Sequence, residues 1–326
     1  MSLNEKNEIQ SVTMLRGIAS LAVCFMHFTG TVNYPTLQKI GLFGGYGVHL
    51  FFVISGFIIP YSLFQSKYQL KNFFQFILKR IVRLDPPYIF TIIGIILLSY
   101  VAQYSTYNKS EIINFFNMNS VFHLFYLVDF VDGKWLSPVF WSLAIEFQFY
   151  LLMGVLFPFI SMRKNSLRLL LFFVFCLVPF LFPQDYIVSK YLILFLPGIL
   201  LFLYKTKEIS NVLFVVLVSI SIILSSLKFS IAGFICPVLA ITVILFLKNT
   251  FTFFMFLGKI SYSLYLIHTP IGTDGFIQFF QNYISSDLGR LILMLATFPF
   301  TIFCAWIFNM TIERPTLNLS KKIIFK

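Results

Sequence analysis

SVTMLRGIASLAVCFMHFTG, residues 11–30, decides the fold. It carries one guanidinium, Arg16, near its start and one imidazole, His27, near its end, and is otherwise apolar or small. A helix that crosses the hydrocarbon of a bilayer needs about 20 mostly apolar residues, so the stretch reads as a membrane span. The composition of the whole chain agrees. Of 326 residues 59% are hydrophobic and 11% charged, and Phe alone occurs 44 times. A soluble domain carries roughly 25% charged residues, and this chain cannot cover itself in that way. Soluble enzyme, disulfide-stapled secreted domain and disordered chain are excluded. What remains is an all-α polytopic membrane protein.

Working outward, further apolar runs lie near 42–64, 84–101, 138–160, 167–183, 187–204, 211–227, 229–247, 251–273 and 289–312. They are continuous, unlike the alternating strands of an outer-membrane barrel, and predict about ten transmembrane helices. The net charge of +12 sorts by side. With the N-terminus inside, 17 of the 24 Lys and Arg residues fall on the inner face, six fall outside, and Lys259 lies just within a span. That is the positive-inside bias. The charge therefore sets orientation, with both termini cytoplasmic, and does not point to nucleic acid. The first ten residues lack a basic leader and no small-residue cleavage site follows, so the first span is expected to be retained. Residues 1–326 read as a single membrane-embedded domain with no appended soluble domain. Cys24, Cys176, Cys236 and Cys304 all lie in apolar runs without ligand spacing; they read as core residues, and no metal is expected.

Ionisable groups are costly in hydrocarbon and usually face the bundle interior, where they mark function. Arg16 and His27 stand eleven residues apart, three helical turns plus about 20°, so they share a face about 16 Å apart along the axis. In KRIVRLDPPY, residues 79–88, Arg80 and Arg83 share a face at the inner surface. Pro86 and Pro87 predict a break or a helix start there. The pair reads either as topological anchoring or as a phosphate clamp, for which arginine's bidentate geometry is suited. Glu146 in WSLAIEFQFY, 141–150, sits deep in an apolar run on the same face as Ser142. In GKISYSLYLIHTP, 258–270, Ser261, Tyr265 and His268 form one polar stripe, and Pro270 is expected to end or kink the helix. Glu313 and Arg314 near the final exit read as a terminal salt bridge.

These segments, with FFVISGFII at 51–59 and the ERP at 313–315, resemble the membrane acyltransferase family 3, in order and over nearly the whole chain. Two positions depart from its pattern. Phe147 stands where a second acidic residue is typical, and Ile267 and Thr269 replace aromatics beside His268. The resemblance implies transfer of an acyl group, usually acetyl from acetyl-CoA, to a hydroxyl of a cell-surface glycan, in the bacterial inner or plasma membrane. It places Arg16, Arg80 and Arg83 at the donor, His27 and Glu146 in catalysis, and Trp141, Ser142, Tyr265 and His268 at the substrate. Candidate acceptors are O-antigen or other lipopolysaccharide, capsule, peptidoglycan, a secreted polysaccharide or a small glycoside. His27 acts as general base or as an acyl carrier, and Glu146 orients His27 or holds an acceptor hydroxyl. Acceptor contacts are also expected in the outer loop near His123, Asp129, Asp132 and Trp135. The rival reading is a transporter or flippase of a lipid-linked sugar, with no acyl chemistry.

Overall fold

The computed structural model describes residues 3–104, 118–162, 165–247, 249 and 251–325, and among these every regular element is helical. The helices are α1 (Leu3–Thr29), α2 (Pro35–Leu42), α3 (Tyr46–Gln65), α4 (Phe73–Tyr104), α5 (Met118–Leu124), α6 (Phe140–Ser161) and α7 (Asn165–Leu181). There follow α8 (Val188–Lys205), α9 (Asn211–Phe246), α10 (Thr252–Lys259), α11 (Ser261–Ile267), α12 (Gln278–Gln281), α13 (Asp287–Phe308) and α14 (Arg314–Lys321). Two π-helical segments, His268–Ile277 and Asn309–Glu313, interrupt the last part of the bundle.

Seven stretches among the described residues are helical for long enough, and apolar enough, to cross a membrane, against the ten expected. The difference has three physical sources. The expected span 167–183 is a 17-residue helix, α7, shorter than each of the seven, of which the shortest, α8, has 18 residues. The expected spans 211–227 and 229–247 are the two arms of α9, which leaves helical geometry at Phe229 and Ser230, the latter at φ 52°. A Cβ on Gly233 would run into the carbonyl of Ser225, eight residues earlier, so the arms fold back on one another. The expected span 251–273 is broken at Ile260 and then widens into the first π segment.

A second difference is the position of α4. The expected break at Pro86 and Pro87 is absent, and the helix starts at Phe73 and runs straight through both prolines. A proline inside a helix leaves the carbonyl four residues earlier without its donor. Membrane helices tolerate this where a neighbour supplies one. Here Pro87 frees the Arg83 carbonyl, and Thr316 Oγ1 of α14 donates to it at 3.4 Å. Arg80 and Arg83 therefore lie seven and ten residues into α4, about 10–15 Å from its start.

The core is built on α3. Nearly all of its residues from Gly47 to Leu63 are buried, and α8 packs along it so closely that backbones touch. A Cβ on Gly56 would meet the Phe195 carbonyl, and one on Gly198 would meet the Val53 carbonyl. Small residues at such crossings substitute for the hydrophobic drive that lipid cannot provide. Phe149 of α6 stacks on Phe195 of α8 at 3.8 Å. The helix α1 packs against α3 on one side and α10 on the other, bringing Arg16 toward the centre of the bundle.

The segment 118–137 is pinned into the bundle. His123 is buried and its Nε2 accepts from the Leu136 amide at 2.9 Å, while Trp135 Nε1 donates to Asp129 at 2.9 Å. Tyr126 reaches the Asp85 carboxylate at 3.0 Å and stacks between Tyr88 and Phe147. Three of the four loop residues expected at the acceptor are thus engaged in holding the loop together. The fourth, Asp132, ends a short turn at φ 51°.

Candidate active site

One face of α3 lines a cavity of about 510 Å³. Val48, Phe51, Phe52, Ser55, Ile58, Ile59, Ser62, Gln65 and Ser66 recur every three or four residues along it, as one side of a helix must. From Val48 to Ser66 the helix rises about 27 Å, close to the ~30 Å thickness of a hydrocarbon core. Opposite α3, α1 supplies Ile9 and Arg16, and α4 supplies Arg80 and Arg83. The helix α6 contributes Ser142, Glu146 and Tyr150, each one turn from the next, and the α10–α11 break contributes Ser261, Tyr262 and Tyr265.

The charges on this wall do not cancel. Three guanidinium groups face one carboxylate, and none of them pairs with it. The salt bridges among the described residues are Arg168–Glu208 and Lys190–Asp185, both away from the cavity. Glu146 Oε1 instead accepts from Ser55 Oγ at 3.0 Å and from the Tyr150 hydroxyl at 2.7 Å. The Arg80 guanidinium lies over the rings of Phe76 and Tyr150, 5.2 and 5.0 Å from their centroids, and its buried Nε has no hydrogen-bond partner among the described residues. Arg168 shows the contrast. It is bonded to Glu208 Oε2 at 2.6 Å and to the carbonyls of Ile160, Ser161 and Glu208, as a buried structural arginine should be. Arg16, Arg80 and Arg83 therefore carry no ion-pair partner among the described residues, in surroundings of low dielectric where charge is weakly screened.

At the Val48 end the cavity meets Tyr265 and Ser142, whose hydroxyls lie 2.6 Å apart. The Phe51 ring packs edge-on against Tyr265 at 5.7 Å. Next to Tyr265, at 5.8 Å, is the ring of His268, and 5.1 Å beyond that is His27. His268 is fully buried, with Nδ1 against the carbonyls of Tyr265 at 2.8 Å and Leu264 at 3.2 Å. His27, in the last turn of α1, is half-buried.

Six of the nine residues singled out from the sequence therefore line one cavity: Arg16, Arg80, Arg83, Ser142, Glu146 and Tyr265. His27 and His268 form a pair just past its end. Trp141 stands apart, packed on Phe52 and Tyr191 at 6.4 and 5.7 Å. No hydrogen bond joins Glu146 to His27 among the described residues, so the orienting bond considered for that pair is not made. The expected Glu313–Arg314 salt bridge is not formed either. Glu313 Oε2 accepts from the amide and hydroxyl of Ser263 at 3.1 and 2.5 Å and from Asn309 at 2.7 Å. The carboxylate thereby accepts an amide of the buried first turn of α11, a position that favours negative charge. Arg314 points to the Met310 sulfur instead. The sequence reading passed over Ser55, Tyr150 and Tyr262. Tyr150 had a signal, being four residues after Glu146 as Ser142 is four before it. Ser55 had none, because its partner lies on another helix.

The described residues thus form a bundle of membrane-length helices with an arginine-lined cavity and an imidazole pair beside it. The chain belongs to the acyltransferase-3 family, whose model, described as an acyltransferase domain, matches residues 9–310. Among curated proteins it is similar to the peptidoglycan O-acetyltransferase OatA of Listeria monocytogenes, 32% identical over 178 residues, which is 50% of this chain and 26% of that protein. It is also similar to the O-acetyltransferase OatA of Staphylococcus aureus, 29% identical over 163 residues, 46% of this chain and 24% of the relative. The chain thus spans about a quarter of the length of these relatives in the matched region. No solved structure matches it.

Proposed function

We propose that this protein is an integral membrane O-acyltransferase that moves an acetyl or other small acyl group from acyl-CoA to a hydroxyl of a cell-surface glycan. The observation that carries the reading is the cavity with three arginines, one carboxylate and no ion pair. A nucleotide thioester is rich in phosphate, and arginine binds phosphate with its planar fork. Family membership supports acyl transfer over the transporter reading. The name of the Listeria relative, a peptidoglycan O-acetyltransferase, favours peptidoglycan over capsule or lipopolysaccharide as acceptor.

In this scheme the N-terminus is cytoplasmic, as the distribution of Lys and Arg favours, and the donor enters between Ser66 and Arg80. Arg80 and Arg83 hold its phosphates, Arg16 meets charge further in, and the acyl end reaches toward Ser142 and Tyr265. His27, near neutral pH a natural proton acceptor, takes the proton of the acceptor hydroxyl. The oxygen then attacks the thioester carbonyl, the C–S bond breaks, and the proton passes to the departing thiolate. Glu146, held by Ser55 and Tyr150, offers its second oxygen to the cavity. The test is acyl transfer by the purified protein from labelled acetyl-CoA to peptidoglycan fragments, compared with Arg80→Ala/Arg83→Ala. Donor binding that is indifferent to both arginines overturns the assignment.

A further inference from the structure

We infer that His268 is a positioning residue that fixes the tautomer of His27; the inference rests on the reading of His27 as the base. His268 opens the π segment His268–Ile277, and its side chain turns back on the preceding turn. Its Nδ1 lies 2.8 Å from the Tyr265 carbonyl and 3.2 Å from the Leu264 carbonyl. A carbonyl can only accept, so Nδ1 carries the proton. Nε2 is then a bare acceptor. It is buried and has no hydrogen-bond partner among the described residues, an arrangement that costs stability unless something donates to it in the working state.

The ring able to donate is already there. His27 lies 5.1 Å away, centroid to centroid, tilted at 56°, and its side chain makes no hydrogen bond among the described residues. At that separation a small side-chain rotation brings a nitrogen of His27 to Nε2 of His268, the kind of tightening that catalytic hydrogen bonds show when substrate binds. Because Nε2 of His268 can only accept, the nitrogen of His27 facing it must be N–H. The other nitrogen of His27 is then unprotonated and free to act as base. His27 is half-buried where His268 is fully buried, so the base is the member of the pair that a substrate can reach. The arrangement does what a carboxylate does for histidine in a serine-protease triad, with a neutral imidazole as the orienting acceptor. Glu146, bonded to Ser55 and Tyr150, is not in that position. During transfer the acceptor proton goes to His27 and then to the leaving thiolate, and His268 remains neutral throughout, neither gaining nor losing a proton.

The experiment measures acetyl transfer and acetyl-CoA binding for the full chain in detergent, with His27→Ala, His268→Phe and His268→Gln. The Phe variant fills the space without an acceptor; the Gln variant keeps one. The expected result is a kcat lowered at least about tenfold in His268→Phe, part of the 10²–10⁴ that a positioned base contributes. KM and the dissociation constant for acetyl-CoA stay native, and His268→Gln recovers part of the loss. Full kcat in His268→Phe while His27→Ala is inactive overturns this role and leaves the function standing. A raised KM with native kcat in both His268 variants overturns it too, and makes His268 a substrate contact. An active His27→Ala overturns the inference together with the base it rests on.

Discussion

Replacing Arg80 by Met is expected to leave the empty protein as stable as the native one, or more so, while weakening its hold on an acyl-CoA. The sign follows from the surroundings of Arg80. Its guanidinium has two aromatic faces, Phe76 and Tyr150, each contributing about 0.5–2 kcal/mol depending on desolvation. Against that, a guanidinium held in the bundle without a carboxylate bears a desolvation penalty of several kcal/mol, and its Nε lacks a partner. The terms are of similar size, and methionine keeps the packing without the charge. With donor bound the balance changes, because a hydrogen bond to a charged partner contributes about 1.5–3 kcal/mol, or roughly 10- to 150-fold in the dissociation constant. Arg80→Lys keeps the charge but not the fork or the stacking and should fall between. Thermal unfolding in detergent and equilibrium binding of acetyl-CoA read the two quantities separately. An Arg80→Met protein that unfolds earlier and binds donor normally would refute the reasoning, making Arg80 a structural residue like Arg168.

Other expectations follow from single contacts. Tyr265→Phe removes the 2.6 Å bond to Ser142 and a longer one, 3.3 Å, to the Val139 carbonyl, but leaves Ser142 bonded to that carbonyl, so stability should fall by only about 1 kcal/mol; chemical unfolding checks this. If Tyr265 closes the acyl end of the cavity, Tyr265→Ala should accept propionyl- and butyryl-CoA relative to acetyl-CoA better than native protein does, as competition assays will show. Glu313→Ala leaves three donors without their acceptor and should destabilise by about 3 kcal/mol or more, with Glu313→Gln intermediate and Arg314→Ala near native in thermal unfolding. Gly198→Ala should abolish folded yield, since its methyl group would meet the backbone of α3. Gly94→Ala, with open space around it, should be tolerated and gain a few tenths to ~1 kcal/mol of helix propensity.

The sequence made the class of the protein plain, because a chain with 11% charged residues leaves no other solvent than lipid. It also exposed most of the cavity wall, since Arg16, Arg80, Arg83 and Glu146 are conspicuous in apolar runs. What it hid was relations between helices. Nothing local tells that Ser55 on α3 meets Glu146 on α6, or that Glu313 caps α11 and ignores its neighbour Arg314. The prolines at 86 and 87 misled because their cost depends on Thr316, which is more than 200 residues away. Ten apolar runs answer to seven long helices because hydropathy is silent about geometry. A run of apolar residues looks the same whether it continues, folds back at Ser230 or widens into a π segment at His268. Trp141 shares its motif with Ser142 and Glu146, and only the structure shows its ring packed on Phe52 and Tyr191.

The most direct measurement is single-turnover release of CoA from labelled acetyl-CoA by the purified chain with a muropeptide acceptor, native against His27→Ala. The account predicts that native protein releases CoA and acetylates the acceptor, while His27→Ala binds acetyl-CoA with native affinity and releases none. Equal turnover by the two proteins, or binding of a lipid-linked glycan with no acyl-CoA binding by either, would contradict it.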